Sequence, residues 1–311
     1  MAEKTTIMIL DNIRFYITEA CNSKCPNCFN RDNRRDVSMN IYRFESLCKF
    51  FSVKDNKQIK IMGGEPTIHP SFGAMMEIAQ NYFESVSLFT NAISDKLLEF
   101  VPREKDIVTY NFRFSKLLTE KKLLLDKPGL RNLEIQITQN LNKEKLVDEI
   151  ISVTSFDKDR IRPCLTLDCT SDIFQYKTDI ANVYEYVWST CLEKGIIMGQ
   201  DHLIPLCFLE GTRIPVPKGG SRCNLSCAGL IDSEYNLHYC NQYYDDHISI
   251  FKDNDEIVSD NVLTAFLMEC HDKMLKVNGT KGCSTCPLFL LLCNGGCFMG
   301  KDCVSNVKSP F

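Results

Sequence analysis

Eleven of the 17 cysteines in this chain fall into two arrays, and that concentration of sulfur constrains the fold before any helix or strand is considered. Cys21, Cys25 and Cys28 are spaced C-x3-C-x2-C, with Phe29 directly after them, while Cys223, Cys227, Cys240, Cys283, Cys286, Cys293, Cys297 and Cys303 lie in the C-terminal third. Three soft thiolates on one short loop suit an iron–sulfur cluster that leaves one iron open, and eight suffice for two fully ligated four-iron clusters. Structural zinc is the plain alternative for the first array, although no fourth ligand sits next to it. Disulfides account poorly for the pattern: the start, MAEKTTIMIL, has no apolar stretch suited to export, and an odd cysteine total rules out complete internal pairing. A reducing cytoplasm is the expected compartment.

The 311 residues allow one large domain and an appendage of roughly 100 residues, and 44% hydrophobic composition supplies a sizeable core. Formal charge is -4 with Lys and Arg scattered, so no nucleic-acid track is marked. The basic pairs Arg34-Arg35 and Lys121-Lys122 read as solvated helix faces. No apolar run reaches membrane-spanning length; the longest, Pro287-Leu292, sits between cysteines.

Short apolar strands alternate with amphipathic helices along the first two thirds. Strands are predicted at 13–17, 58–62, 85–89, 107–114, 133–138 and 161–167, and helices at 41–51, 71–82, 94–100, 116–125, 143–151 and 180–194. Six such units imply a parallel sheet with helical crossovers. An open, curved sheet of this kind brings the loops at strand C-termini to one rim: the first cysteine loop, the Gly63-Gly64-Glu65-Pro66 turn and Thr90-Asn91. Beyond Gly195 the pattern breaks at Pro205, Pro215, Pro217 and Gly219-Gly220, and 261–276 is the one clean helix left. The expected division is 1–200 for the larger domain and 201–311 for a cysteine-rich one assembled around metal.

The first array resembles the radical S-adenosylmethionine superfamily, whose signature is three cysteines at these intervals followed by an aromatic residue. The resemblance implies an α/β fold, a partial (β/α)6 TIM-like barrel, with Cys21, Cys25 and Cys28 holding a 4Fe–4S cluster whose open iron chelates S-adenosylmethionine and Phe29 packing near its adenine. Gly63-Gly64-Glu65-Pro66 resembles the family's glycine-rich edge, where backbone and carboxylate meet the methionine ammonium; glycines permit close approach and a carboxylate complements that cation. Taken alone such a turn is ordinary, and its place after the second strand is what gives it weight. Asn91, at the third strand's end, is the next candidate for the cofactor, followed by Asn111, Arg113, Gln136 and Thr138.

The later cysteines resemble a SPASM domain, an auxiliary iron–sulfur extension, which implies two further 4Fe–4S clusters. By that likeness Cys223, Cys227, Cys240 and Cys297 bind one, and Cys283, Cys286, Cys293 and Cys303 the other. Two departures stand out: six residues rather than five separate Cys286 from Cys293, and Tyr235 occupies a position that is commonly glycine. Cys207 is a rival for the role of Cys223, and a cluster with three protein ligands would keep a site for substrate.

Cys48, Cys191 and Cys270 fall on helical patterns and read as small buried hydrophobes. Cys164 and Cys169 flank the sixth strand, where Asp168 or Cys169 could exchange a proton or hydrogen atom with substrate. The five histidines show no metal or triad spacing, with Asp201-His202 the one pair of note. The chemistry implied by the resemblance is 5′-deoxyadenosyl radical formation, then oxidative modification or crosslinking of a peptide. Partners implied are a low-potential electron donor such as flavodoxin or ferredoxin and a separate peptide-recognition protein, because no winged recognition domain precedes the first strand. A small-molecule substrate such as an aminocyclitol is the alternative enzyme class, and an iron–sulfur electron carrier the non-enzyme one.

Overall fold

The computed structural model describes residues 13–25, 28, 35–53, 57–114, 119–138, 140–167, 177–200, 211–213, 229–240 and 243–277. Two compact units divide the chain, Met1–Arg131 with Asn224–Asp272 and Asn132–Cys223 with Lys273–Phe311, so each unit is made of two separate stretches of sequence.

In the first unit β1 (Arg14–Thr18), β2 (Gln58–Gly63), β3 (Ser85–Thr90) and β4 (Ile107–Asn111) form a parallel run in chain order. Their registers, Thr18 beside Gly63 and Thr90 beside Tyr110, bring the C-terminal ends level. The other edge of β1 carries β8 (Leu230–Ile231) in parallel, then β9 (Asn236–Cys240) and β10 (Tyr243–Ser249) as antiparallel neighbours. Leu230, Ile231, Leu237 and Tyr239 are all fully buried, so backbone pairing to β1 and apolar burial support this stretch.

Two helices cover the strands for reasons visible in sequence. Asn40 caps α1 (Ile41–Ser52) by accepting from the amides of Tyr42 and Arg43, and Phe44, Leu47, Cys48 and Phe51 make one buried stripe at the 3.6-residue period. Phe15 of β1 meets that stripe edge-on, 5.6 Å from Phe44 and 6.0 Å from Phe51 between ring centroids. The second helix, α2 (Phe72–Tyr82), buries Phe72, Met75, Met76 and Ala79. One expected helix, over 94–100, is a tighter turn. Asp95–Glu99 is a 3-10 helix that starts from its Ser94 cap and buries only Leu97, and the Pro102 that follows leaves too little chain for an α-helix. The next crossover, where 116–125 is expected as helix, is helical at 119–120 and again in α3 (Lys122–Leu125), after a 3-10 turn at Phe112–Phe114. Late in the chain α6 (Asp260–Val277) buries Leu263, Leu267 and Cys270 on one face.

The second unit continues the alternation: β5 (Leu130–Ile137), α4 (Lys143–Thr154), β6 (Ile161–Leu167), α5 (Lys177–Glu193) and β7 (Gly199–Gln200), the last parallel to β6. Here α4 packs on α5. Cys48 and Cys191 are fully buried and Cys270 nearly so, as their helical spacing implies. Burial pushes the Cys191 thiol up to about 11 and the Cys48 thiol up as well, which makes both poor nucleophiles. Among the described residues no helix is long and apolar enough to cross a membrane.

Because Phe15 is fully buried between two rings, Phe15→Ala is expected to cost about 3–5 kcal/mol. A urea titration followed by far-ultraviolet circular dichroism checks this; a loss below about 1 kcal/mol would contradict the packing.

Candidate active site

The first cysteine loop leaves β1 and returns to it. Glu19 N donates to Val37 O at 2.9 Å and Met39 N to Ile17 O at 2.8 Å, while the Thr18 hydroxyl pairs with that of Ser38 at 2.8 Å. The loop between is thereby closed at both ends by one strand terminus. Cys21, Cys25 and Cys28 are all partly exposed on it, and Cys25 Sγ lies 3.5 Å from the Ser23 hydroxyl. A partly exposed thiol on a loop is reachable by metal in a way that a core cysteine is not. No three His, Cys, Asp or Glu side chains among the described residues are drawn together as a ligand group. The fit to a cluster therefore rests on the soft donor set and the anchored loop. Phe29 lies outside the described residues.

Glu19, the residue that opens the loop, is buried with 2% exposure. It accepts from Arg35 Nε at 2.7 Å, Arg35 Nη2 at 2.8 Å and the Ser233 hydroxyl at 3.0 Å. The Glu19 hydrogen bonds raise the Arg35 guanidinium further above its ordinary range and keep it charged. Arg35 is thus a loop anchor as well as an exposed basic residue. Lys121 is corrected in the same way: it donates to Ile93 O at 2.9 Å and pairs with Asp95 at 2.8 Å, fastening the segment that follows β3.

The glycine turn lies against the start of this loop. Gly64 N donates to Thr18 O and Glu65 N to Ala20 O, both at 2.8 Å. A Cβ on Gly64 would sit 2.1 Å from Ala20 O, and one on Gly63, whose φ is +154°, would sit 2.2 Å from Thr18 O. Both positions require glycine because the chain's own cysteine loop occupies the space. Pro66 then starts a 3-10 turn that Glu65 caps by accepting from Thr67 N.

Glu65 has 1% exposure, and its carboxyl faces protein donors: Thr67 N at 3.1 Å, the Thr67 hydroxyl at 2.5 Å, the Thr90 hydroxyl at 2.7 Å and Asn91 N at 2.7 Å. Burial raises its pKa, and these hydrogen bonds oppose the rise. In this geometry the side chain ties the ends of β2 and β3 together, while Asn91 completes the connection by donating from Nδ2 to Asn22 Oδ1 of the cysteine loop at 2.8 Å. Three of the segments singled out in the sequence, the loop, the glycine turn and the third strand's end, are thus joined by direct hydrogen bonds.

The remaining candidates are less concentrated. Asn111 ends β4 and accepts from Arg113 N at 3.1 Å in a local turn, with the Arg113 side chain exposed. Gln136 is exposed on β5 and Thr138 half-buried just after it, both in the second unit. Asp168 and Cys169 lie outside the described residues, as do Asp201-His202, Cys207 and every auxiliary ligand candidate except Cys240, which is half-buried at the end of β9.

Sequence spacing gave His69 no role, yet the structure makes it part of the turn. It is buried, accepts from Ser71 N at Nδ1 at 3.0 Å, and therefore carries its proton on Nε2, which lies 3.0 Å from Met39 O beyond the cysteine loop. Its position four residues after Glu65 was the available signal. Tyr235 was noted only as a departure from glycine; its φ of +68° shows that the glycine-like backbone is retained by a residue with a side chain.

No family model matches the chain. The GTP 3′,8-cyclase of Chlorobaculum tepidum is 26% identical over 87 residues, 27% of this chain and 26% of that protein, so the match spans about a quarter of the curated relative. Among solved structures, SuiB of Streptococcus suis bound to precursor peptide SuiA superposes with a TM-score of 0.65 at 17% identity, covering 96% of this chain and 74% of that one. Native anSMEcpe with bound AdoMet and the Kp18Cys peptide gives 0.62 at 18% identity, covering 96% of this chain and 91% of that one. The two superpositions bear out the expected α/β fold, with a large parallel sheet consistent with a partial TIM-like barrel.

Two outcomes follow from this geometry. Gly64→Ala must displace the cysteine loop, and a loss of about 3 kcal/mol in thermal or urea unfolding is expected; an unchanged midpoint would contradict the contact. Burial is the largest influence on His69 and lowers its pKa from the ordinary 6.5. The unfolded chain then binds that proton more tightly, so the contribution of His69 is complete above the unfolded value and declines as pH falls from there through the lower native value. Urea midpoints measured from neutral to mildly acidic pH should drop more steeply for the wild type than for His69→Gln.

Proposed function

We propose that this chain is a radical S-adenosylmethionine enzyme that oxidatively modifies or crosslinks a peptide. The observation that carries the reading is the backbone contact between a C-x3-C-x2-C loop and a Gly-Gly-Glu-Pro turn at the level ends of parallel strands, in the fold that radical S-adenosylmethionine enzymes share. Cys21, Cys25 and Cys28 would hold a four-iron cluster. When bound, that cluster supplies the electron that cleaves S-adenosylmethionine to methionine and a 5′-deoxyadenosyl radical able to take hydrogen from an unactivated carbon.

The chain's own residues position and exclude. Strand-end backbone at Gly63, Gly64 and Glu65 forms a rigid edge for the methionine end of the cosubstrate, and Asn91 keeps the next strand end against the loop. By family likeness Phe29 packs near adenine, and Asn111, Arg113, Gln136 and Thr138 are further contacts. Asp168 and Cys169 follow β6 and are the proposed groups for proton or hydrogen exchange. Tyr16, Met62 and Leu230 form a buried apolar cluster with Phe89 packed on it, which holds β1, β2 and β8 together beneath these strand ends.

Residues 201–311 would form a SPASM-like region, with Cys223, Cys227, Cys240 and Cys297 around one auxiliary 4Fe–4S cluster and Cys283, Cys286, Cys293 and Cys303 around another, which would supply an acceptor for the electron that the substrate radical gives up as its oxidation completes. A flavodoxin or ferredoxin would act as electron donor, with the cytoplasm as the compartment and a separate protein presenting the peptide. The peptide-bound neighbours support a peptide substrate. The stretch similar to GTP 3′,8-cyclase favours a second reading, a small-molecule substrate.

Anaerobic reconstitution followed by spectroscopy with isotopically labelled S-adenosylmethionine tests the proposal. Coupling between iron and the cosubstrate's amino-acid tail, with 5′-deoxyadenosine formed on reduction, is the expected result, and Cys25→Ala should abolish both. Zinc as the sole bound metal, or no coupling in the wild type, would discard the enzyme in favour of a structural site or an electron carrier. Deuterium passing into 5′-deoxyadenosine from a labelled peptide, rather than from a labelled metabolite, separates the two substrate classes.

A further inference from the structure

The tip of the β8–β9 hairpin touches the first cysteine segment at three separate places, one per residue. Ser233 donates to the buried Glu19 carboxylate at 3.0 Å, where the loop begins. Glu234 pairs with Arg35, where the described part of the loop resumes, and the same guanidinium donates to Glu19 at 2.7 and 2.8 Å. The Tyr235 hydroxyl accepts from Asn40 N at 2.6 Å, at the residue that caps α1. Its ring also lies 4.9 Å beneath the Arg43 guanidinium and 5.3 Å edge-on from Phe251, and Arg43 pairs with Asp255. Between 195 and 214 positions separate the partners in sequence.

The turn is itself braced to present these side chains. Tyr235 N donates to Asp232 O at 3.0 Å, and the Asp232 carboxylate accepts from Glu234 N at 2.9 Å, Asn236 N at 2.8 Å and His238 Nε2 at 2.9 Å. This is a type I turn followed by a left-handed residue, a geometry that glycine serves without strain. A tyrosine at φ +68° adopts a backbone that L side chains disfavour. The strain is offset by the three contacts its side chain makes, none of which the hairpin itself needs.

We infer that Ser233, Glu234 and Tyr235 are positioning residues that clamp the first cysteine loop at its entry, its exit and the cap of the following helix. The clamp sets how the three thiols are presented, and it joins the loop to the strand that ends at Cys240. The role assigned to the loop rests on the proposed function; the clamp itself rests on the contacts above.

Reconstituted full-length protein carrying Ser233→Ala with Glu234→Gln, and separately Tyr235→Gly, tests the inference. Tyr235→Gly suits the turn and removes only the side chain, so the fold survives it. Amide exchange at residues 19–25 and 35–40 should rise by about tenfold in each variant, with β2 and β3 unchanged. Affinity for S-adenosylmethionine should weaken by roughly three- to tenfold, with an altered electron paramagnetic resonance line shape for the cosubstrate-bound cluster. Tyr235→Phe, which keeps the ring on Arg43, should fall between wild type and Tyr235→Gly. Wild-type exchange in the loop of both variants overturns the clamp, as does exchange that rises equally in β2 and β3, which would mark the hairpin as general support. Raised loop exchange in a protein that never coordinates S-adenosylmethionine would retain the clamp and discard the enzymatic reading.

Discussion

The arrangement depends on a contact between two pieces of backbone: the Gly63-Gly64-Glu65 turn pressed against Thr18-Glu19-Ala20 with no space for a side chain between them. Hydrogen bonds from Gly64 and Glu65 fasten the exit of β1 to the exit of β2, so the cysteine loop starts from a fixed point. Parallel pairing sets the strand ends level, and the glycines convert that level edge into close contact. A methyl group at either position would push the loop away from the sheet that aims it.

Two buried carboxyls then distribute that order. Glu65 links the glycine turn to Thr90 and Asn91, and Glu19 links the loop's entry to Arg35 and Ser233. Each is nearly inaccessible to water, so each depends on the donors aimed at it; a buried carboxylate that loses its partner typically costs about 3–5 kcal/mol. Charge-assisted bonds to Arg35 and backbone amides meet that requirement at Glu19 and Glu65 respectively. The acids occupy the rim because the strand ends there leave amides and hydroxyls without ladder partners.

Regular elements were legible because their apolar periods are local. The α1 stripe of Phe44, Leu47, Cys48 and Phe51 and the strand at Ile161–Leu167 can each be read from a few consecutive residues. The crossover after β3 was overread as an α-helix, since apolar spacing says nothing of how much chain remains before Pro102. Beyond Thr67 on its own turn, the partners of the Glu65 carboxyl within the chain, Thr90 and Asn91, lie at a strand end that no local pattern connects to it. His69 went unassigned and Arg35 was read only as a solvated basic residue because their partners, Met39 O and Glu19, lie 30 and 16 positions away in sequence.

The sequence by itself determined the donor chemistry, the order of strand and helix, and the two glycines where backbone must meet something closely. Those properties follow from side-chain type and short-range period, which a linear chain carries openly. Only the tertiary structure decided that the glycines meet the chain's own cysteine loop, that β8 pairs with β1, and that Tyr235 reaches Asn40 across 195 positions. Register between distant strands and the direction of a buried side chain are set by which groups satisfy one another in the packed state, and no local pattern encodes that choice.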